Sequence, residues 1–362
     1  MDKQEETYRV LLLGDLHYNR PGGQGREPET DSQKRWKKLS LTMWADRSGA
    51  LLEDAARRIS AGNVPLVLQT GDLIQGDCDT PERQSAMFRD AIGTVKRYIG
   101  EDRRFLPVVG NHDLRLMDTV PRGPEYDGQG RCIRAFAGEY GPVRDTLLPF
   151  AAKEAGLENL PESSNYSFRR GRDLFLLVDP FRAGTLDFIG RTLDAVPDTR
   201  YVFVVSHLSL LPCDPDRALA LWLMPDPAET AALLAPRNAV ILTGHTHWFH
   251  LVRYRHPRGI IAQLAVSSIG THWPHDAQLH PDTENYREYA RKMAPLMERP
   301  ERFFPAENYL EHRSWCSETD GRLSAAGGYA VLDIGPAGVS AEIFTGRSAP
   351  DLVLQLIGKT EK

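Results

Sequence analysis

The stretch "YRVLLLGDLHYNR", residues 8–20, decides how the fold is read. Apolar residues Val10 to Leu13 run unbroken into Gly14, and Asp15 and His17 follow at once. A short unbroken apolar run suits a strand buried on both faces. Glycine at its end permits a sharp exit and a close backbone approach. A carboxylate and an imidazole just past that exit raise the question of what they serve together.

The pattern recurs along the chain. "PLVLQT" (65–70) runs into Gly71-Asp72, and "RFLPVV" (104–109) into Gly110-Asn111-His112-Asp113. "YVFVV" (201–205) runs into Ser206-His207, and "AVILT" (239–243) into Gly244-His245-Thr246-His247. Apolar residues at helical spacing fall between these strands, at 49–61, 81–99, 185–195 and 227–234. Alternating strands and helices imply an α/β sheet with crossovers. Runs 164–170 and 173–178 read as a hairpin, as do 248–255 with 260–266, and the segment 327–345. Late strands after α/β units imply a second sheet. The expected fold class is α/β, a four-layer α-β-β-α sandwich of two mixed sheets flanked by helices, in a single domain. Its frame is 7–266 plus 327–345. Segments 18–48, 114–160 and 267–325 exceed normal loop length and read as insertions forming a lid or cap, the last with a helix at 284–297.

Composition narrows the partners. The 362 residues are 41% hydrophobic and 26% charged, ordinary for a soluble domain. No apolar run reaches membrane-span length. The acidic start "MDKQEETYRV" does not read as a signal peptide. Cys78, Cys132, Cys213 and Cys316 lie far apart, which suits reduced thiols in a cytoplasmic protein. A net charge of −5 gives no support for a nucleic-acid partner. Lys34, Arg35, Lys37 and Lys38 read as a solvated helix face, and Trp36 and Trp44 as loop packing.

In an open α/β sheet, ligands sit beyond the carboxyl ends of the strands. The strand ends would therefore gather Asp15, His17, Asp72, Asn111, His112, His207, His245 and His247. Taken singly, each has a plain reading: Asp or Asn as a turn residue, His207 as a core histidine. Taken as an ordered series, they form a constellation. Oxygen and imidazole donors without thiolate suit manganese, iron, cobalt or zinc. The donors are too many for one ion, and a carboxylate can bridge two.

At this point the ordered set GDLH, GDLI, GNHD, SH, GHTH resembles the calcineurin-like metallophosphoesterase superfamily, the dinuclear metallophosphatases. The resemblance implies a hydrolase of phosphate esters with two divalent or mixed-valence metal ions, manganese or iron foremost. Asp15, His17 and His247 would hold one ion, Asn111, His207 and His245 the other, and Asp72 both. His112 would stand near the leaving group and protonate it, with Asp113 accepting its other ring N–H. A hydroxide activated between the ions would attack phosphorus.

Departures from subfamily patterns narrow the choice. Protein phosphatases of this superfamily carry GDxVDRG where this chain has "GDLIQGD". Purple acid phosphatases carry a tyrosine ligand where this chain has Gln75. What remains resembles the class III cyclic nucleotide phosphodiesterase-like branch and implies a phosphodiester, and the acidic balance favours a small nucleotide or headgroup diester over DNA. The alternatives are a broad phosphomonoesterase, a nuclease working with a partner, and a silent binding scaffold that would have lost ligands. Strand 260–266 returns toward the site, so His272, Trp273 and His275 are candidate substrate contacts, with loop packing as the equal alternative. Tyr18 and Arg20 leave the same edge, and Arg115 lies just beyond Asp113. The insertions are also candidates for a homo-oligomer interface. His250, His256, His280 and His312 read as surface or hairpin residues.

Overall fold

The computed structural model describes residues 6–25, 34, 48–116, 125–126, 132–134, 138–161, 163–212, 223–269, 304–315, 327–346 and 348–358. His272, Trp273, His275 and the expected helix 284–297 lie outside the described residues.

Two mixed sheets carry the chain. Strands β1 (Tyr8–Leu13), β2 (Leu66–Gln69) and β3 (Arg104–Pro107) run parallel. Strands β13 (Tyr329–Gly335), β14 (Gly338–Phe344) and β15 (Leu352–Gly358) extend that sheet antiparallel beyond β1. In the second sheet, β7 (Asp173–Val178), β8 (Val202–Ser206), β9 (Ala239–Thr243) and β11 (Gly259–Ala265) run parallel. Antiparallel β6 (Tyr166–Arg170) flanks β7; on the other side β10 (Phe249–His256) pairs antiparallel with β11, and β12 (Tyr309–Trp315) pairs antiparallel with β10 at the sheet edge. A small hairpin pairs β4 (Glu125–Tyr126) with β5 (Cys132–Arg134). The expected strands are present, and the final hairpin gains a third strand, β15. β12 lies inside what the sequence presents as an insertion.

The unbroken apolar runs follow from burial on both strand faces. Val10 and Leu12 of β1 pack in the core between the sheets, with Phe203 and Val205 of β8 and Val240 and Leu242 of β9. Leu11 and Leu13, Val202 and Val204, and Ala239 and Ile241 belong to the outer core. That outer core also takes Leu51, Leu52 and Ile59 of α1 (Gly49–Ser60), and Met87, Phe88, Ala91 and Val95 of α2 (Pro81–Ile99). A further helix, α3 (Leu148–Ala155), follows a π-turn at Val143–Leu147. The second sheet contributes α4 (Thr185–Ala195) and α5 (Pro227–Leu234). The limits of α2 show why its bounds are legible. Thr80 caps it by accepting from Arg83 N at 3.3 Å, Pro81 opens it, and Gly100 at φ 90° ends it. No described helix is long and apolar enough to cross a membrane.

The parallel strands of both sheets point their carboxyl ends at one edge of the sandwich. His207 at the end of β8 joins the sheets there, with Nδ1 2.9 Å from the Thr70 carbonyl beyond β2.

Candidate metal centre

The expected ligands sit where the backbone is bent hardest. Among the described residues, seven non-glycine positions have positive φ, and four of them are His17 (47°), Asp72 (53°), His245 (66°) and His247 (59°). A left-handed residue of this kind costs about 1–2 kcal/mol. Surrounding contacts hold the bends. Leu16 N and His17 N both donate to the Asp72 carbonyl at 2.9 Å. Ser268 Oγ and Ile269 N donate to the Asp15 carbonyl at 2.8 and 3.0 Å, and Ser267 Oγ to the His247 carbonyl at 2.9 Å. Ser267, Ser268 and Ile269, just beyond β11, therefore border the site, as the returning strand implies. Strain concentrated on one set of polar side chains points to function.

Glycine makes the approach of these exits possible. Gly71 has φ 94°, and a Cβ there would lie 2.7 Å from His207 Nδ1. A Cβ on Gly244 would lie 2.5 Å from both Asp15 Oδ2 and Thr70 Oγ1.

The side chains converge in two sets. Donor atoms of Asp15, His17, Asp72 and His247 all lie within 4.8 Å of one another. His17 Nε2 is 3.1 Å from His247 Nε2, and His247 Nε2 is 3.5 Å from Asp15 Oδ1. In the second set, His207 Nε2 lies 2.9 Å from Asn111 Oδ1, and His245 Nδ1 lies 3.1 Å from both. Asp72 joins the sets: its Oδ2 is 3.5 Å from His17 Nε2 and 3.5 Å from His207 Nε2. Its Oδ1 faces away and accepts from His112 N at 2.7 Å.

Electrostatics show what such a set lacks. Burial depresses the imidazoles of His17, His207 and His245, leaving each with a lone pair to offer; His247 adds to the effect on His17, and His207 to that on His245. Burial raises the Asp72 carboxyl well above its usual range, and the carboxylates of Asp15 and Asp113 push the same way. Burial also pushes Asp15 up, but nearby imidazoles, His247 first, outweigh it and hold that carboxyl low. Imidazole nitrogens and carboxylates crowded together in a buried site repel one another through their lone pairs. Bound cations relieve that, so the donor set fits metal ions.

His112 stands beside the first set, its ring edge-on to His17 with centroids 4.5 Å apart. The partner of its Nδ1 differs from the expectation. That nitrogen lies 2.9 Å from the Gln75 carbonyl, so it carries the proton and donates. Asp113 does not reach the ring. Its carboxylate accepts from Gly110 N at 2.8 Å, Ile74 N at 3.0 Å and Leu73 N at 3.3 Å, locking the loop after β3 to the loop after β2. Asp113 is thus a positioning residue acting through backbone. Any residue's carbonyl could serve as Gln75 does, so sequence carried no signal for it.

The substrate candidates divide. Arg115 lies at His112, with Nη1 3.0 Å from Nε2. Arg20 is drawn away to α2, where it pairs with Asp90 at 2.7 Å. Tyr18 is tied by backbone to Leu73 and Gln75, with its ring half-buried against the outer core.

A two-sheet α/β sandwich with this donor set at its strand ends defines the metal-dependent phosphoesterases. The family profile described as calcineurin-like phosphoesterase matches residues 8–249, and the chain belongs to that family. A purple acid phosphatase from yellow lupin seeds superposes with TM-score 0.53 at 12% identity, over 97% of this chain and 53% of the lupin chain. The chain thus spans about half the length of the lupin enzyme. A dimetal phosphatase from Danio rerio gives TM-score 0.52 at 14% identity, over 96% of this chain and 99% of its own. GAP50, described as the anchor in the inner membrane complex of Plasmodium, gives 0.50 at 10% identity, over 98% of this chain and 90% of its own. At these identities the likeness is one of fold. No curated protein sequence matches the chain.

Proposed function

We propose that the chain is a dinuclear-metal phosphodiesterase acting in the cytoplasm on a small nucleotide or headgroup diester, with manganese or iron as the metal. The observation that supports it most is Asp72 Oδ2, equidistant at 3.5 Å from His17 Nε2 and His207 Nε2. One oxygen facing two donor sets is what a bridging carboxylate needs. Asp15, His17 and His247 would hold one ion with Asp72, and Asn111, His207 and His245 the other. Such ions supply Lewis acidity at phosphorus and an activated water. The chain supplies the rest. The Gln75 carbonyl keeps a proton on His112 Nδ1, so a proton that Nε2 takes up from solvent is the one it would pass to the leaving oxygen. Arg115 offers N–H groups to the phosphoryl oxygens.

The diester preference rests on the sequence, through "GDLIQGD" in place of the protein phosphatase motif and Gln75 in place of the purple acid phosphatase tyrosine, and the acidic balance favours a small diester over DNA. The test is hydrolysis of a generic phosphodiester and its matching monoester by manganese-loaded protein, with Asp72→Ala as control. Diester turnover lost in the control supports the reading. Preference for the monoester replaces it with a phosphomonoesterase. Two bound metals without turnover of either leaves a lid that excludes these model esters or a fold kept for binding alone.

A further inference from the structure

The loop after β2 and the loop after β3 are zipped together beside His112. Asp77 N donates to the Arg115 carbonyl at 3.0 Å, and Cys78 bridges Leu116 in a parallel pair. The zipper requires Gly76 at φ 67° and Asp77 at φ 57°. Asp is one of the few side-chain-bearing residues at ease there. The bend aims the Asp77 carboxylate at Arg115, with Oδ1 2.8 Å from Nη2. The other arm, Nη1, is left 3.0 Å from His112 Nε2 and 3.3 Å from Nδ1. Since His112 Nδ1 donates to Gln75, Nε2 is the acceptor that this arm meets.

A guanidinium is a rigid fork of five donors. One side of it is fixed by a carboxylate, and among the described residues the other side meets the His112 ring. A phosphoryl oxyanion is a stronger acceptor than that imidazole, because charge shortens and strengthens the hydrogen bond. The Arg115 side chain is 25% exposed, so a ligand can reach it from solvent.

We propose that Asp77 is a positioning residue that clamps Arg115 against His112, so that the free arm of the guanidinium receives a non-bridging oxygen of the substrate's phosphoryl group. The proposal rests on the phosphoesterase reading of the same site. Asp77 has no part in the metal sets. Its effect passes wholly through Arg115.

The experiment is a double-mutant cycle on full-length, manganese-loaded protein, read as affinity for inorganic phosphate by titration calorimetry, with bound manganese measured in each sample. Arg115→Ala should weaken phosphate by about 10- to 100-fold, the range for a charged hydrogen bond. Asp77→Asn keeps a residue suited to the left-handed bend and should weaken phosphate by roughly three- to tenfold. In the Arg115→Ala background, Asp77→Asn should change nothing further. Manganese content should stay the same throughout. Arg83→Ala breaks the neighbouring pair to Asp79, 3.1 Å long, and should leave phosphate affinity unchanged. An equal effect of Asp77→Asn in both backgrounds overturns the clamp, as does an unchanged affinity in Arg115→Ala. Wild-type turnover is measured alongside. Arg115-dependent phosphate binding without hydrolysis of any ester supports the clamp and removes the hydrolase reading. Manganese-loaded wild type that binds no phosphate overturns both.

Discussion

Gly244→Ala isolates the claim that close backbone approach builds this site. The added carbon would lie 2.5 Å from Asp15 Oδ2 and 2.5 Å from Thr70 Oγ1. Ordinary contact begins near about 3.5 Å, so the Asp15 carboxylate must retreat by roughly half an ångström to one ångström. It has little room. Both of its oxygens accept from His245 N at 3.0 Å, and it is fully buried. Misplacement of about 1 Å at a reacting centre lowers rates by roughly 10²-fold, equivalent to about 2.7 kcal/mol. The expected result is a loss of about that size in kcat/KM for phosphodiester hydrolysis, with weaker metal retention on dialysis and an unchanged far-ultraviolet spectrum. Gly190→Ala on α4 is the control, because its Cβ would meet nothing nearer than Leu233 Cδ1 at 3.7 Å. A Gly244→Ala protein with wild-type kcat/KM and metal content would refute the reasoning.

Other predictions follow from the same geometry. His112→Ala should keep two metals per chain yet lose about 10²- to 10⁴-fold in turnover of an ester with a poor leaving group; equal rates for mutant and wild type would exclude a proton-transfer role. Asp72→Ala should lower bound metal to one ion per chain or fewer and abolish turnover, whereas full retention of both ions by elemental analysis would show that Asp72 does not bridge. His250 on β10 is fully buried, and burial, helped by His312, depresses it to about 3. Its folded value lies below the unfolded one near 6.5, so the unfolded chain binds the extra proton, and stability falls as pH drops from about 6.5 toward 3. His250→Leu should therefore lose less stability than wild type between pH 7.5 and 5.5, by about 1.4 kcal/mol in urea unfolding; parallel losses would contradict it.

Most of the donor set was legible because each donor follows an apolar run and a glycine or serine. Those runs are strands buried on both faces, and their ends share one edge. α2, α4 and α5 keep their expected bounds, with Pro81 and Pro227 opening two of them. Other features carry no residue-type signature. The tautomer of His112 depends on a backbone carbonyl. Asp113 spends its carboxylate on amides that every residue carries. Arg20 and Arg115 look equivalent as sequence, and only the carboxylates packed beside them, Asp90 and Asp77, send one away from the site and fix the other in it. The left-handed bends at His17, Asp72, His245 and His247 were hidden for a similar reason, since Asp and His enter that region more often than most residues but rarely overall. β12 was hidden by distance: it joins β10 as an edge strand, far along the chain from the hairpin it extends.

The central claim is that two metal ions share Asp72. Anomalous diffraction from manganese-loaded crystals tests it most directly. The account predicts two anomalous peaks per chain, one among Asp15, His17 and His247 and one among Asn111, His207 and His245, with Asp72 Oδ2 in contact with both. A single peak, or peaks away from Asp72, would contradict it.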